Sequence, residues 1–337
     1  MANGILTRRD PRFLLFGLGL EETSWRGVGL LAAVFFGSLV IAAILTPLTF
    51  WAAEAYVSWR QGGGALDYDH GLLGYGIDVY FDRLRWVPIL LGLPWLMLVC
   101  HLWSLRALGL GRGTTTSGTA SFFGAYLGGL VLVGLLALAQ KTFTTIIPRP
   151  EGVHWASTLL KAALGGLLLG FLEETIFRGL ILRIFYTSTR QPWIALAATS
   201  AFFAYTHFKV PASVLSHFPT GARWDTGWLV GWWVTIGITV DFDWAHFLAL
   251  WMLGMVLGAL MLRTGSLLPG IGLHAGLVAA MFIYRDMYNF PPDPGRVLWG
   301  GSGLTDGWAA FAVLTVVFIF LAGRRIESWQ GRSGVLR

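Results

Sequence analysis

Residues 157–182 decide the fold, and they read STLLKAALGGLLLGFLEETIFRGLIL. The run is long and apolar enough to cross the ~30 Å hydrocarbon core of a bilayer as a helix that rises 1.5 Å per residue. It nevertheless contains Glu173, Glu174 and Arg178. Because an ionisable side chain inside a span costs about 3 kcal/mol on insertion scales, such residues are kept for a function. The sequence therefore predicts a membrane-spanning helix that carries a site.

The rest of the chain has the same apolar character. Its 337 residues are 55% hydrophobic and 12% charged, and the mean hydropathy is +0.64. A soluble domain has about 25% charged residues, so a disordered chain, an ordinary soluble enzyme and a nucleic-acid-binding domain are excluded. The sequence predicts an all-α, polytopic transmembrane helical bundle of about eight spans. The other apolar runs are 28–55, 86–105, 120–140, 191–208, 244–262, 266–284 and 307–323.

Arginines predict how the spans are oriented. They fall in the N-terminal segment, in alternate short connections and in the C-terminal tail, whereas the connection 56–85 is rich in aspartate. Positive residues stay in the cytoplasm, so eight spans put both termini there. A crossing at the Trp-rich stretch 228–240 would move the basic tail outside, so we interpret this stretch as interfacial or re-entrant. The Arg- and Gly-rich composition is typical of a prokaryotic cytoplasmic (inner) membrane protein.

The three charged residues of the fourth span fall on two faces of a helix. Glu174 and Arg178 are four residues apart, share a face and are expected to form an ion pair. Glu173 points elsewhere, into a setting suited to taking and giving protons. We interpret Glu173 as a general base and Glu174 as an orienting group. A structural charge cluster that holds helices together is an equal alternative.

Two histidines extend the candidate site. His207 ends the fifth apolar run, and His274 lies in the seventh. Together with Glu173 they can converge on one water molecule, either for base catalysis or as ligands of a divalent metal. The zinc signature His-Glu-x-x-His is absent, so zinc would need Glu173, His207 and His274 from three separate helices.

These motifs resemble those of the CPBP family of intramembrane proteases (CAAX prenyl endopeptidases and bacteriocin-processing proteins, also called Abi). The hallmarks here are Glu173-Glu174-Thr-Ile-Phe-Arg178, Phe203-Ala-Tyr-Thr-His207 and His274. The resemblance covers roughly 157–284, a protease-like core between an N-terminal segment of three spans (1–156) and a part with a loop, a final span and a basic tail (285–337). It implies four catalytic residues, Glu173, Glu174, His207 and His274, with Arg178 and Phe203 in support.

The third motif departs from the family pattern. Where the family has an asparagine thought to bind the oxyanion or the water, this chain has Val278, which cannot donate a hydrogen bond. Loss of one such donor costs about 10²–10³ in rate in other enzymes. Either Thr175 or Tyr205 substitutes, or activity is altered or lost.

The resemblance implies an endopeptidase that hydrolyses a peptide bond of a membrane-anchored protein or peptide. The lipid bilayer is the other expected partner, and no nucleic acid is expected to bind. A metal-free glutamate mechanism is favoured over zinc, because no further acid lies near His207 or His274 in the sequence to orient a ligating imidazole. Two other functions remain open. One is a non-catalytic CPBP-like regulatory or immunity factor, which Val278 favours. The other is a proton-coupled transporter, which the lack of visible inverted repeats disfavours.

Overall fold

The all-α fold class is confirmed. A computed structural model describes residues 25–64, 66–68, 71–99, 109–110, 118–208, 210–215, 218, 221–240 and 242–323. Within these residues the only strands are a two-residue antiparallel pair, β1 (Ile147–Pro148) and β2 (Tyr288–Asn289). Of the arginines predicted to lie in the cytoplasm at the two ends of the chain, Arg26 is the first residue of the first helix, and the others are outside the described residues.

The described residues of each predicted apolar run lie mainly on a helix, and residues 100–105 of the run 86–105 are outside the described residues. A π-helical stretch, Thr175–Ile181, joins α4 to α5, and a short 3₁₀ turn, Gly237–Thr239, follows α8. The helices are α1 (Arg26–Arg60), α2 (Ile77–Val99), α3 (Gly118–Phe143), α4 (Trp155–Glu174), α5 (Leu182–Thr189), α6 (Pro192–Thr206), α7 (Ala212–Leu215), α8 (Thr226–Ile236), α9 (Trp244–Thr264), α10 (Leu268–Met287), α11 (Arg296–Trp299) and α12 (Trp308–Gly323).

Five helical stretches are long and apolar enough to cross a membrane, which makes the chain an integral membrane protein. They are Gly27–Arg60, Gly118–Phe143, Trp155–Thr189, Trp244–Thr264 and Leu268–Met287. The count of eight stays a prediction, because α6 has 15 residues and α12 has 16. At 1.5 Å per residue each reaches only about 23 Å. Helix α8, with 11 residues, is too short to cross a ~30 Å core as a straight helix.

The described residues form two compact units. The first contains those of Met97–Ala204 and Asp243–Arg337, and the second contains those of Arg26–Leu96 and Tyr205–Phe242. The predicted division at residues 156 and 284 stays a prediction.

In the first unit, α10 lies between α3 and α4, and glycines set the spacing. A Cβ atom added at Gly276 of α10 would overlap the carbonyl oxygen of Tyr126 in α3. A Cβ atom added at Gly170 of α4 would lie 3.0 Å from the backbone nitrogen of Ala275 in α10. Small residues of this kind let membrane helices touch through their backbones. The helix that carries His274 is therefore held on two sides.

In the second unit, α8 packs on α1. Gly227 lies against the backbone of Ala43, where a Cβ atom would not fit. The indole of Trp51 donates a hydrogen bond of 2.9 Å to the carbonyl of Ala222, which ties α1 to the segment that precedes α8. Tyr205 also belongs to this unit.

Candidate active site

The acidic motif lies where the helix changes its winding. Helix α4 ends at Glu174, and the next seven residues, Thr175–Ile181, form a π-helix whose residues are all buried. Wide turns of this kind are rare and occur frequently at functional sites. Sequence reasoning treated 157–182 as a regular α-helix, and because the stretch contains no proline, no residue in it marks the wider turn.

Glu174 and Arg178 form the predicted ion pair. Arg178 Nη1 donates to Glu174 Oε1 over 2.8 Å, and the two side chains are 1% and 0% exposed. Arg178 Nη2 donates to the carbonyl oxygen of Gly254 in α9 over 3.2 Å. A Cβ atom at Gly254 would lie 2.7 Å from the Cβ of Ser200, so this glycine lets α9 approach α6 closely. The pair thus joins the π-helix to α9.

His274 lies between the two adjacent glutamates. Its Nδ1 is 3.0 Å from Glu174 Oε1, and its Nε2 is 3.7 Å from Glu173 Oε2. Since an ionised carboxylate only accepts, Nδ1 donates to Glu174. Glu174 therefore orients the imidazole from a position 100 residues away in the chain. No acid lies near His274 in the sequence, and the packing of the helices supplies one.

Glu173 has a different setting from its neighbour, as the helix geometry predicts. Its side chain is 21% exposed, whereas that of Glu174 is inaccessible. The gap of 3.7 Å to His274 Nε2 is too long for a direct hydrogen bond. A separation of 3.7 Å lets one water molecule hydrogen-bond to both atoms at about 2.8 Å. We call the position between Glu173 Oε2 and His274 Nε2 the expected water site.

An aromatic ring closes the other side of the ion pair. Phe203 is fully buried, and the centroid of its ring lies 4.7 Å from the guanidinium carbon of Arg178. The same ring meets the imidazole of His274 edge to face, with centroids 6.1 Å apart. Phe203 of the second motif therefore contacts one residue from each of the other two motifs.

The structure gives local contacts for the two residues expected to replace the family asparagine, Thr175 and Tyr205. The Tyr205 hydroxyl donates to the carbonyl of Thr235 over 3.1 Å. Thr175 follows Glu173 by two residues, about 200° around the helix, so the two side chains point in opposite directions. The supporting roles of Thr175 and Tyr205 stay predictions.

His207 follows the end of α6 by one residue and belongs to the second unit. Its convergence with Glu173 and His274 stays a prediction. Zinc needs about three protein ligands and a water molecule. Among the residues that the structure describes, no group of three or more His, Cys, Asp or Glu side chains is arranged to hold a metal ion. The choice between a metal-free and a zinc mechanism stays a prediction, and the mechanism proposed for this site uses only its side chains and water.

The fold and this cluster define the class of protein: a helical integral membrane protein with a site of two carboxylates, a guanidinium and an imidazole. Comparison with known protein families narrows this class. Residues 155–280 match the family described as Type II CAAX prenyl endopeptidase Rce1-like, and the matched segment contains all three motifs. The match confirms the resemblance to the CPBP family and supports a membrane endopeptidase of the CAAX-protease type. No curated protein and no solved structure matches the chain.

Proposed function

We propose that this protein is an intramembrane endopeptidase in which Glu173 activates the attacking water. The observation that carries the proposal is that the two ring nitrogens of His274 face two different carboxylates, one inaccessible and one partly exposed. Such an arrangement orients the imidazole with one acid and assigns proton transfer to the other.

The protonation state of the cluster is inferred from its net charge. Glu173 and Glu174 bring two negative charges and Arg178 brings one positive charge, so one further proton makes the cluster neutral. Burial favours neutrality, because an uncompensated buried charge is costly. We place that proton on His274, whose Nδ1–H donates to Glu174 and whose Nε2–H then points towards the water site.

The reaction follows from this assignment. Glu173 takes a proton from the water as the water oxygen bonds to the scissile carbonyl carbon. The Nε2–H of His274 donates to the developing oxyanion, and we expect His207 to supply a second donor. Glu173 then passes its proton to the amide nitrogen, the C–N bond breaks, and the products are a carboxylic acid and an amine.

The surroundings of Glu173 favour a substrate that comes from the membrane. Leu164, Leu168 and Phe171, on the preceding turns of α4, are exposed apolar side chains, whereas the following π-helix is buried. Exposed apolar residues on a membrane helix face lipid. We infer that a lipid-anchored or membrane-spanning segment enters sideways along α4. Maturing peptides and surface proteins with a C-terminal membrane anchor have this chemistry.

Cleavage in proteoliposomes tests the proposal. Purified wild type should cleave at least one of a panel of tagged membrane peptides, and in H₂¹⁸O the new carboxyl group should carry the heavy oxygen. Glu173→Gln should abolish cleavage. Glu151→Gln, the same change at an exposed loop residue, is the matched control and should leave the rate unchanged. Equal rates for wild type and Glu173→Gln would refute the assignment of the base.

Val278 favours a second candidate, a non-catalytic membrane factor on the same scaffold. It occupies the position four residues after His274 where the family has asparagine. Val278→Asn distinguishes the two candidates. If the protein is an enzyme with a weakened site, this variant should cleave faster by up to about 10²-fold. A wild type and a Val278→Asn variant that are both folded and both inactive would favour the non-catalytic factor.

A direct measurement separates glutamate chemistry from zinc chemistry. We expect purified active protein to keep its activity after chelation and to contain no stoichiometric zinc. Stoichiometric zinc that is lost together with activity, and restored with it, would overturn the glutamate mechanism. Glu173→Gln does not separate the two, because both mechanisms need this carboxylate.

A further inference from the structure

Phe203 touches the charged cluster without carrying a charge or a hydrogen-bonding group. Its ring centroid is 4.7 Å from the Arg178 guanidinium carbon and 6.1 Å from the His274 ring centroid. A third ring, that of Phe177, meets it edge to face at 5.0 Å. The side chain is inaccessible to solvent. The ring therefore has fixed contacts with two members of the cluster.

The face of the Phe203 ring partly compensates for a hydrogen bond that the Arg178 guanidinium does not make. Arg178 is buried and donates from Nη1 and Nη2, while its Nε has no hydrogen-bond partner among the described residues. The π-electron face of an aromatic ring attracts a cation, most strongly where water is excluded. A ring at this distance holds the plane of the guanidinium, and so fixes the direction in which Nη1 meets Glu174.

The same contact reaches His274 through Glu174. Oε1 of Glu174 accepts from Arg178 over 2.8 Å and from His274 over 3.0 Å, so a tilt of the guanidinium moves the shared oxygen. The edge-to-face contact of Phe203 with the imidazole constrains the ring of His274 directly. Both contacts set the angle of Nε2 towards the water site.

We propose that Phe203 is a positioning residue, and that the electrostatics of its ring face, rather than its volume, hold Arg178, Glu174 and His274 in register. The proposal rests on the proposed function, because the register matters for the angle at which Nε2 meets the water. A leucine at this position fills space but offers no π face. Phe203→Leu should therefore lower kcat by about 10–30-fold and change KM by less than about twofold.

The test varies the ring face at nearly constant volume. Phe203 is replaced by 4-fluoro-, 3,5-difluoro- and 3,4,5-trifluorophenylalanine, each of which withdraws more density from the face. We expect kcat to fall stepwise along the series, to about tenfold at the last member, while the melting temperature stays within about 2 °C. Phe202→Leu, on the neighbouring half-buried position of the same helix, is the control and should leave kcat unchanged. A flat kcat across the series would overturn the proposal.

A second readout does not depend on cleavage. In protein labelled with ¹⁵N-histidine, the ring signals of His274 are assigned by their loss in His274→Gln. The signals should move stepwise with fluorination and most in Phe203→Leu. If wild type cleaves nothing, the proposed function fails, but the register of His274 is still measured by these shifts. Unmoved His274 signals in folded Phe203→Leu would refute the positioning role whether or not the protein is an enzyme.

Discussion

Removal of Arg178 tests how strongly the buried cluster depends on its ion pair. The charges lie 2.8 Å apart, and both side chains are within 1% of complete burial. At an effective dielectric constant of about 20 their attraction is about 6 kcal/mol, and the desolvation of both groups offsets much of it. Arg178→Met nevertheless leaves the buried Glu174 carboxylate without its guanidinium partner. Truncation of one partner of a buried pair costs about 3–5 kcal/mol in free energy of unfolding.

A double-mutant cycle separates the interaction between Glu174 and Arg178 from the interactions of each residue with its surroundings. Glu174→Gln/Arg178→Met removes both charges, so it should be less destabilised than the sum of the single variants, with a coupling of about 2–3 kcal/mol. Unfolding by SDS in mixed micelles measures each free energy.

The chain contains its own control, an exposed ion pair between α4 and α10. Lys161 of α4 pairs with Asp286 of α10 over 3.1 Å, but the lysine side chain is 57% exposed. Lys161→Met should cost less than about 1 kcal/mol, because water and salt screen an exposed pair. If Lys161→Met and Arg178→Met cost the same, or if the coupling is below about 1 kcal/mol, burial does not govern the strength of the Glu174–Arg178 pair.

Three further outcomes follow from the orientation, the helix contacts and the outer loop. Val297→Cys, in a background without the native cysteine, should react with an impermeant reagent from the outside only, and reaction from the cytoplasmic side would contradict the orientation. Gly276→Ala should cost about 1–3 kcal/mol and lower kcat, while Gly134→Ala, which meets open space, should change stability by less than about 0.5 kcal/mol. Backbone N–H groups, first that of Thr145, hold the pKa of Asp293 below its ordinary value. The loop should therefore resist proteolysis at neutral pH and lose protection as the pH falls below about 4, and Asp293→Asn should remove this pH dependence.

Helix positions were predictable because bilayer-length apolar runs leave few alternatives, but helix ends were not. Helix α2 begins at Ile77 and not near 86, since Asp82 and Arg85 neutralise each other over 2.6 Å one turn apart. The two charges lower the mean hydropathy of this segment, so the sequence assigns it to the preceding connection and not to the helix. The predicted end at 182 is similarly early: Thr187 and Ser188 donate their hydroxyls to carbonyls four residues back, and the helix continues to Thr189.

The site was predictable only where its geometry is local. The Glu174–Arg178 pair follows from a spacing of four residues on one helix. The contact of His274 with Glu174 joins residues 100 positions apart, and it depends on the packing of α10 against α4 through glycines. Glycines are frequent throughout this chain, so their number alone does not indicate which ones bring two helices together.

The contact between Glu174 and His274 gives a physical reason for the division of labour between the two glutamates. Oε1 of Glu174 already accepts hydrogen bonds from a guanidinium and an imidazole, and the side chain is inaccessible. Taking a proton from water would require Glu174 to give up interactions that burial makes expensive to lose. The Glu173 side chain, in contrast, is 21% exposed, and its Oε2 lies 3.7 Å from His274 Nε2. Adjacent residues of one type can therefore act as base and as anchor, because the helix turns about 100° between them.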